Sequence, residues 1–397
     1  MTTPENALAG KSFARSYFPP TRIAISGLFL LNGIFAGAWA PKIPEFASRL
    51  GLTEAGLGLM IMCFGIGSLI LMPIAGILIA HYGTTRTLKG ATVLFLSTML
   101  LLSLATTIPF GAVAIFCFGG LMGAMDVAMN GNAVEVEKSM RRAIMSSCHA
   151  FWSLGAFIGA TTGGFLMAAL GVMGHAALLT VVGAVMLLVL WPRILHDAPH
   201  PSEEHRKVRL PMTPLPWLIG LMALFCMVPE GAILDWGALY MRDELGASLA
   251  LSGFAFGTFS LTMAVMRFAG DHVRDRFGAV RTLRFCTVTA IVGMVIAGTA
   301  PNAYVAMVGF ALCGVGISNM VPIAFSAAGN LPGFAQGVAL SVTTAMGYSG
   351  SLFAPSVIGF IAEHTGFALI FALLPLLFIV VLLLSHHAVH ADVRDHH

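Results

Sequence analysis

Charge is what this chain has least of. Only 10% of its 397 residues are Asp, Glu, Lys or Arg, where a soluble domain carries about a quarter. With 57% hydrophobic residues, this excludes a soluble globular domain and leaves an all-helical membrane protein. The net charge of +3 is too small to attract nucleic acid. The six cysteines (Cys63, Cys117, Cys148, Cys226, Cys286, Cys313) lie in or beside apolar runs, with no CxxC; neither a disulfide nor a metal site is expected. Met1 to Pro20 is polar and holds no short apolar region before a small-residue cut site, so no cleavable signal is expected. No Walker loop or glycine-rich phosphate cradle occurs, which argues against ATP drive and against a cofactor. No nucleophile stands with a matching base, so the chain is not read as an enzyme.

What is abundant is glycine (44 residues) and methionine (23 residues), which suits helices packed closely in lipid. Apolar runs of about 20 residues, the length needed to cross a bilayer, recur twelve times, at roughly 22–41, 54–79, 89–107, 109–135, 147–170, 173–192, 215–241, 250–271, 281–300, 303–326, 334–359 and 366–385. The stretch between Pro192 and Pro216 is polar and proline-rich, and divides six spans from six. The expected organisation is a segment 1–21, a six-helix bundle 22–192, a linker 193–214, a second bundle 215–385 and a tail 386–397. With the N-terminus cytoplasmic, seventeen of the twenty-one Lys and Arg residues fall on the inside and only Lys42, Arg49 and Arg242 outside. That asymmetry places both termini in the cytoplasm and the chain in an inner membrane. The remaining base, Arg267, sits inside a span.

The halves repeat. A shift of 195 residues carries Leu50-Gly51 onto Leu245-Gly246, Gly58 onto Gly253, Phe64 onto Phe259, Gly83 onto Gly278 and Arg86-Thr87-Leu88 onto Arg281-Thr282-Leu283. Two six-helix halves in one orientation form the parallel repeat of the major facilitator superfamily, whose solute site lies at mid-membrane between the halves. The loop after span 8, Asp271 to Arg281 with Asp275, Arg276 and Gly278, resembles that superfamily's G-x-x-x-D-R-x-G-R-R motif. The first-half copy, Gly76 to Arg86, has Ala80 where the family has Asp. The resemblance implies a cytoplasmic latch in which Asp275, with Arg276 and Gly278, meets the start of span 5 near Arg142 and Ser146. Ala80 is read either as leaving that latch to the second copy alone or as merely softening a loop.

A narrower resemblance lies in three short motifs. Asp126-Val-Ala-Met-Asn130 is similar to the E-x-x-x-N of the fucose permease branch of proton symporters. Ser147 to Ala156 resembles that branch's N-x-x-Q-x-F-N-S-F-G-A segment, and Met266 to Gly270 its G-R-F-x-G. Bacterial inner-membrane relatives with E-G-x-x-x-D-W in span 7 look closer still, matching Glu230-Gly231 and Asp235-Trp236. Span 1 carries no acid, where the fucose symporter has one, and this separates the chain from fucose itself.

Asp126 is the candidate around which the rest is arranged. A carboxylate at mid-membrane costs about 3 kcal/mol and marks a pathway by default. In a partly dry cavity it can load and release a proton near neutral pH. Asn130 lies one turn on, on the same face. Glu230 and Asp235 in span 7 join it as proton-coupling candidates, because Pro229 and Gly231 should break the helix locally; they are read alternatively as wetted at the outer surface. His149 is a candidate relay to Asp126, or else a helix-packing bond. Trp152 and Trp39 are candidates for stacking on a sugar ring, Trp39 equally for the interfacial belt. Asn32 and Asn319 are candidates for binding solute hydroxyls; Asn319 matches Asp126 under a shift of 193, so the repeat is expected to set it opposite in the cavity. Arg267 is read as paired along its helix with Asp271 or snorkelling. Gly155, Gly159 and Gly163 have GxxxG spacing for close helix approach. The terminal histidines read as a frayed tail.

Together these point to a proton-coupled secondary transporter of a small polar, sugar-like solute, working as a monomer by alternating access. An efflux antiporter for drugs or metabolites is the alternative. A non-transporting sensor would need a long output domain, and neither terminus supplies one.

Overall fold

A computed structural model of the chain describes residues 19–140, 144–197, 213–331 and 338–392. Among these, eleven apolar helices are long enough to cross a membrane. One, Ser147–Arg193, has 47 residues, roughly 70 Å at 1.5 Å per residue, which is twice the ~30 Å hydrocarbon layer. Its backbone leaves the helical region at Gly171 (φ 71, ψ 171), so it folds as two antiparallel spans and the total is twelve. The spans are 1, Pro20–Leu50; 2, Glu54–Ile79; 3, His81–Leu104; 4, Ile108–Glu137; 5 and 6, the two arms of Ser147–Arg193; 7, Leu215–Glu244; 8, Leu249–Gly270; 9, Ala279–Gly298; 10, Ala303–Gly329; 11, Val342–Thr365; and 12, Phe367–Ala391. Span 1 runs through a 3-10 turn at Ala40–Lys42 into a short helix, Ile43–Leu50. Lys42, expected in a wet loop, is fully buried there. Large apolar side chains such as Leu69, Leu188, Phe285 and Leu383 cover the outside, as a bundle in hydrocarbon requires.

The repeat is written in the turns. The six glycines with positive φ are Gly51, Gly83, Gly171, Gly246, Gly278 and Gly366; they form three pairs, each 195 residues apart. The Gly51, Gly171, Gly246 and Gly366 turns lie at one face of the bundle, here the upper face; Gly83 and Gly278 lie at the other, the lower. Each lower turn is followed by a helix whose first amides are capped by an aspartate from the end of its half. Asp197 accepts from Thr84 N (2.6 Å), Thr85 N (3.0 Å) and the Thr85 hydroxyl (2.8 Å). Asp392, again 195 residues on, accepts from Ala279 N at 2.9 and 3.1 Å. Burial raises the affinity of Asp197 for a proton, but the bonds from Thr85 and Thr84 outweigh it and hold the carboxyl below its ordinary range. At the upper face Glu244 caps span 12 at Phe367 N and at Ala368 N (3.0 Å). Its repeat mate Arg49 instead grips the carbonyls of Leu102 (2.9 Å), Ser103 (3.1 Å) and Ala105 at the end of span 3. Each sign of charge meets the helix end whose dipole it complements.

Glycines set the helix contacts. In the first half, a side chain on Gly33 or Gly37 would strike the backbone of Trp152 or Ala156, and one on Gly155 or Gly159 that of Leu30 or Ile34. Spans 1 and 5 therefore interlock backbone to backbone. The two halves meet in the same way near the upper face. A Cβ on Gly58 would sit 2.7 Å from the carbonyl oxygen of Pro355, and one on Gly164 2.5 Å from that of Leu249. Gly253 abuts the Ala160 carbonyl, and Gly359 that of Glu54. Ser356 Oγ donates to Gly58 O (3.1 Å), and Ala55 N to Glu363 Oε2 (3.1 Å). Span 2 is thus closed against 11, and 5 against 8, and above them lies a cleft of about 520 Å³ lined in part by Glu45, Arg49, Arg242 and Ser248.

Arg142 lies outside the described residues, as do the side chains of Ala80, Ser146, Asp271 and Asp275. Of the latch motif, Arg276 is exposed, its guanidinium 5.7 Å from the Phe277 ring centre, and Gly278 makes the turn (φ 79). Arg274 donates to Ser326 Oγ (3.0 Å) and to Ala391 O, tying span 8 to 10 and 12 within its own half.

Two outcomes follow. Asp197→Ala should cost about 1 kcal/mol, as for a lost helix cap, and lower the Tm in detergent. Because the native carboxyl holds its proton less tightly than the unfolded one, the Tm gap should persist near neutral pH and shrink as pH falls below about 4. Gly253→Leu should force spans 5 and 8 apart at the upper face, read as a longer distance between spin labels on Ser48 and Ala247.

Candidate functional site

The site is where the two halves face each other at mid-depth. In span 4, Asn130 Nδ2 donates to Asp126 Oδ1 (3.2 Å) and to its backbone oxygen (2.9 Å). The one-turn spacing closes the pair locally and aims the carboxyl inward. In span 7, Glu230 stands before Gly231, whose Cα faces open space. Contrary to expectation, Pro229 and Gly231 do not break this helix, which runs unbroken over Leu215–Leu239; Pro229 simply leaves the amide pattern short by one bond. The Tyr348 phenol of span 11 is within Coulombic range of both Asp126 and Glu230. Asp126, Asn130, Trp152, Glu230, Asp235 and Arg267 are all partly accessible although they lie between helices, so they wall a hollow. Asp235, one turn above Gly231, has no polar partner among the described residues.

Arg267 is the cation of the site. Its Nη1 donates to Ser153 Oγ in the other half (2.9 Å), its Nε reaches Ser318 O (3.5 Å), and its Nη2 lies 3.9 Å from Glu230 Oε1. The long side chain reaches inward rather than snorkelling: buried charge is cheaper when paired, and Glu230 offers a partner; Asp271, the partner expected along its own helix, has its side chain outside the described residues. Sequence reasoning singled out Arg267 without giving it a place in the site, and passed over Tyr348. The signal for Arg267 was that it alone among the basic residues falls within a span; for Tyr348 there was none.

Several candidates sit elsewhere than expected. His149 does not meet Asp126; its ring packs edge-on to Phe29 (5.2 Å) and lies within Coulombic range of Arg267, because span 5 is rotated onto span 1 by the glycine contacts. Asn32 is fully buried rather than facing solute, and its Oδ1 accepts from Trp152 Nε1 (2.8 Å). The edge of Trp152 is therefore anchored while its ring borders the hollow. Asn319 does not stand opposite Asp126. Span 10 breaks between Ile317 and Met320, turning Asn319 against Gly270 and onto Ser318 Oγ (3.1 Å). Trp39 belongs neither to a solute site nor to a belt: it is 3% exposed, packed on Phe46 and Phe118.

The family model described as Major Facilitator Superfamily matches residues 25–235 and 223–396. The chain belongs to that superfamily. It is 34% identical over 368 residues to an uncharacterised MFS-type transporter of Yersinia pestis, covering 91% of this chain and 93% of the relative. Among solved structures, a D-xylose-proton symporter superposes with TM-score 0.73 at 17% identity, covering 94% of this chain and 97% of its own. A single-residue variant of the Escherichia coli fucose:proton symporter FucP superposes with TM-score 0.62 at 18% identity, covering 92% and 98%. At these identities the two structures share the fold. Members of this superfamily are transporters and not enzymes, and the hollow between the halves is where such a fold holds its solute.

Asn32→Leu should leave the Trp152 indole without its acceptor. The expected cost is about 1–3 kcal/mol, seen as a lower Tm in detergent that Asn32→Asp largely restores.

Proposed function

We propose that this protein is a proton-coupled secondary transporter that carries a small polar, sugar-like solute across the inner membrane by alternating access. The observation that supports this most is a partly accessible carboxyl from each half, Asp126 and Glu230, set between the helices with the Arg267 guanidinium 3.9 Å from Glu230 and bonded across to Ser153 of the other half. In this reading the lower face is cytoplasmic, as the lysine and arginine bias favours. The two bundles, 22–192 and 215–385, rock about the hollow on the linker 193–214, and one chain suffices. Asp126 takes a proton from the upper side together with solute, and both leave to the cytoplasm. Neutralising the carboxyl allows the halves to close over it, since an ionised group resists a dehydrated intermediate. Glu230 and Asp235 are the further protonatable groups of the pathway. Asn130 and the accessible ring of Trp152 contact the solute, the first by hydrogen bonds and the second by stacking. The latch of Asp275 and Arg276 with Arg142 would steady the state open to the upper face. Two solved proteins of the same fold carry fucose and D-xylose with protons, and the polar wall of Asp126, Asn130, Trp152, Glu230, Arg267 and Tyr348 suits such cargo better than an apolar drug.

The test begins with a thermal-shift screen of neutral sugars, polyols and sugar acids at two pH values, since a bound ligand raises Tm by mass action. With the most stabilising compound as probe, Asp126→Asn in proteoliposomes should abolish accumulation driven by a pH gradient while counterflow exchange survives. Undiminished accumulation by the variant would refute the coupling role.

A further inference from the structure

Span 7 holds its acids in an enclosed setting. Side chains that face lipid, such as Leu69, Leu188 and Phe285, are 62%, 72% and 62% exposed. Between Leu218 and Met241, span 7 has no exposed residue at all. What is accessible along it therefore opens into the protein and not onto lipid. Glu230, Gly231, Leu234 and Asp235 are partly accessible, while Ala232, Ile233 and Trp236 are buried, and Trp236 packs on Phe367. A Cβ on Gly231 would meet nothing within 4 Å. Asp235 stands one turn above it, at the upper end of this open stretch.

Asp235 is also the acid of the hollow that no side chain answers. Asp126 accepts from Asn130 (3.2 Å), and Glu230 lies 3.9 Å from Arg267. Asp235 has neither a donor nor a charged neighbour among the described residues. The scaffold does not require it, since the shift of 195 carries it onto Ala40, an apolar residue that is fully buried. Of the described Lys and Arg residues, Arg267 borders the hollow; Arg22 and Lys42 are buried in span 1 and do not. His149 is turned onto Phe29. Three carboxyls thus share one guanidinium. Arg267 balances Glu230, and the proton of the cycle proposed above balances Asp126. The charge of Asp235 is left over, and a charge in a poorly solvated interior calls for a partner.

We infer that the solute is a small hydroxylated monocation, an amine such as an amino sugar, and that Asp235 selects it by taking its ammonium group. This deepens the reading above and rests on the hollow being the solute pathway. An ammonium group has three donors and no acceptor, the complement of an ionised carboxylate, which only accepts. A neutral sugar would leave Asp235 unanswered, and an acidic one would set like charges together, which is costly. Asp235 is five residues above Glu230, about 7.5 Å along the axis, so the ammonium sits apart from the Glu230–Arg267 pair. The hydroxyls then fall to Asn130 and to the guanidinium, which has five N–H donors and uses one at short distance, on Ser153.

The test reads binding by thermal shift on the purified full chain, at about pH 6, where an amino group is charged. The probes are glucosamine, galactosamine and mannosamine, each beside its N-acetyl form and its parent hexose, with glucuronate as the acid. The free amines should raise Tm more than their neutral counterparts, and glucuronate should not raise it. Asp235→Asn should weaken binding of the amines by roughly tenfold, the scale of losing one charged hydrogen bond, and leave the hexoses unchanged. Asp235→Glu, which keeps the charge, should restore the preference for the amine. A ligand-free Tm of Asp235→Asn within a few degrees of the parent guards against a folding artefact. Hexoses or glucuronate binding as well as the amines, or an amine preference that survives Asp235→Asn, would overturn the assignment and leave the transporter reading intact. Stabilisation by none of the probes would overturn both the amine class and the sugar-like reading.

Discussion

Hydrocarbon offers no hydrogen bonds, so every polar group carried into the membrane must be answered inside the protein. Most are answered within one turn of their own helix. Thr87, Thr92, Thr161 and Thr287 each donate to the carbonyl four residues back, a closure that asks nothing of the fold. Among the described residues, two bonds between side chains cross spans at mid-depth: Trp152 with Asn32, and Arg267 with Ser153. Hydroxyls such as Ser68 and Thr262 reach a backbone carbonyl of a neighbouring span, whereas these two pairs lie at the hollow. The same constraint explains why Glu230 and Arg267 sit together, since either alone would carry an uncompensated charge in a poorly solvated interior.

The repeat supplies the backbone but not the chemistry. Three glycine turns and the two aspartate caps recur at 195 residues with little change, because they answer to helix geometry. Side chains facing the hollow do not recur. Glu230 and Arg267 correspond at that shift to Phe35 and Met72, and Asp126 to Val321. Phe35 is buried against Phe95 in the first bundle. One copy of the fold holds an ion pair and the other a lone carboxyl, so a symmetric scaffold encloses a hollow with chemically distinct walls.

This division marks what the sequence could disclose. Twelve spans, six and six, follow from hydropathy and the loop charges because span length is fixed by the bilayer. The pairing of Asp126 with Asn130 was equally legible, since residues four apart on a helix share a face. Contacts between helices were not. How far each helix is rotated about its axis depends on glycine contacts that spacing alone does not assign to a partner. Gly155 and Gly159 announce a close approach, but only the fold shows it is to span 1, and that approach turns His149 toward Phe29 and ties Trp152 to Asn32. Asn319 lies elsewhere for a different reason: a local break in span 10 turns it toward Gly270 and Ser318. Glu230 was read through its neighbours Pro229 and Gly231 as part of a broken helix. The helix tolerates both, and it is Arg267, from another span, that gives Glu230 its place.

The closure at the upper face bears on how a transporter of the proposed kind would be driven. The upper closure brings backbones together at Gly58, Gly164, Gly253 and Gly359, where dispersion acts over many atoms at once and no side chain has to be ordered. Among the described residues, spans 5 and 8 also meet deeper in the bundle through Arg267 with Ser153 and Phe151 with Phe268. With the upper face closed, a solute arriving from above binds only after it opens, and its apparent affinity is reduced by the population of the open state. Whatever opens the upper face must overcome packing spread along two helix pairs. A change confined to one side chain does so only if it acts at the centre, where both halves respond to it, and there the Tyr348 phenol is within Coulombic range of a carboxyl from each half.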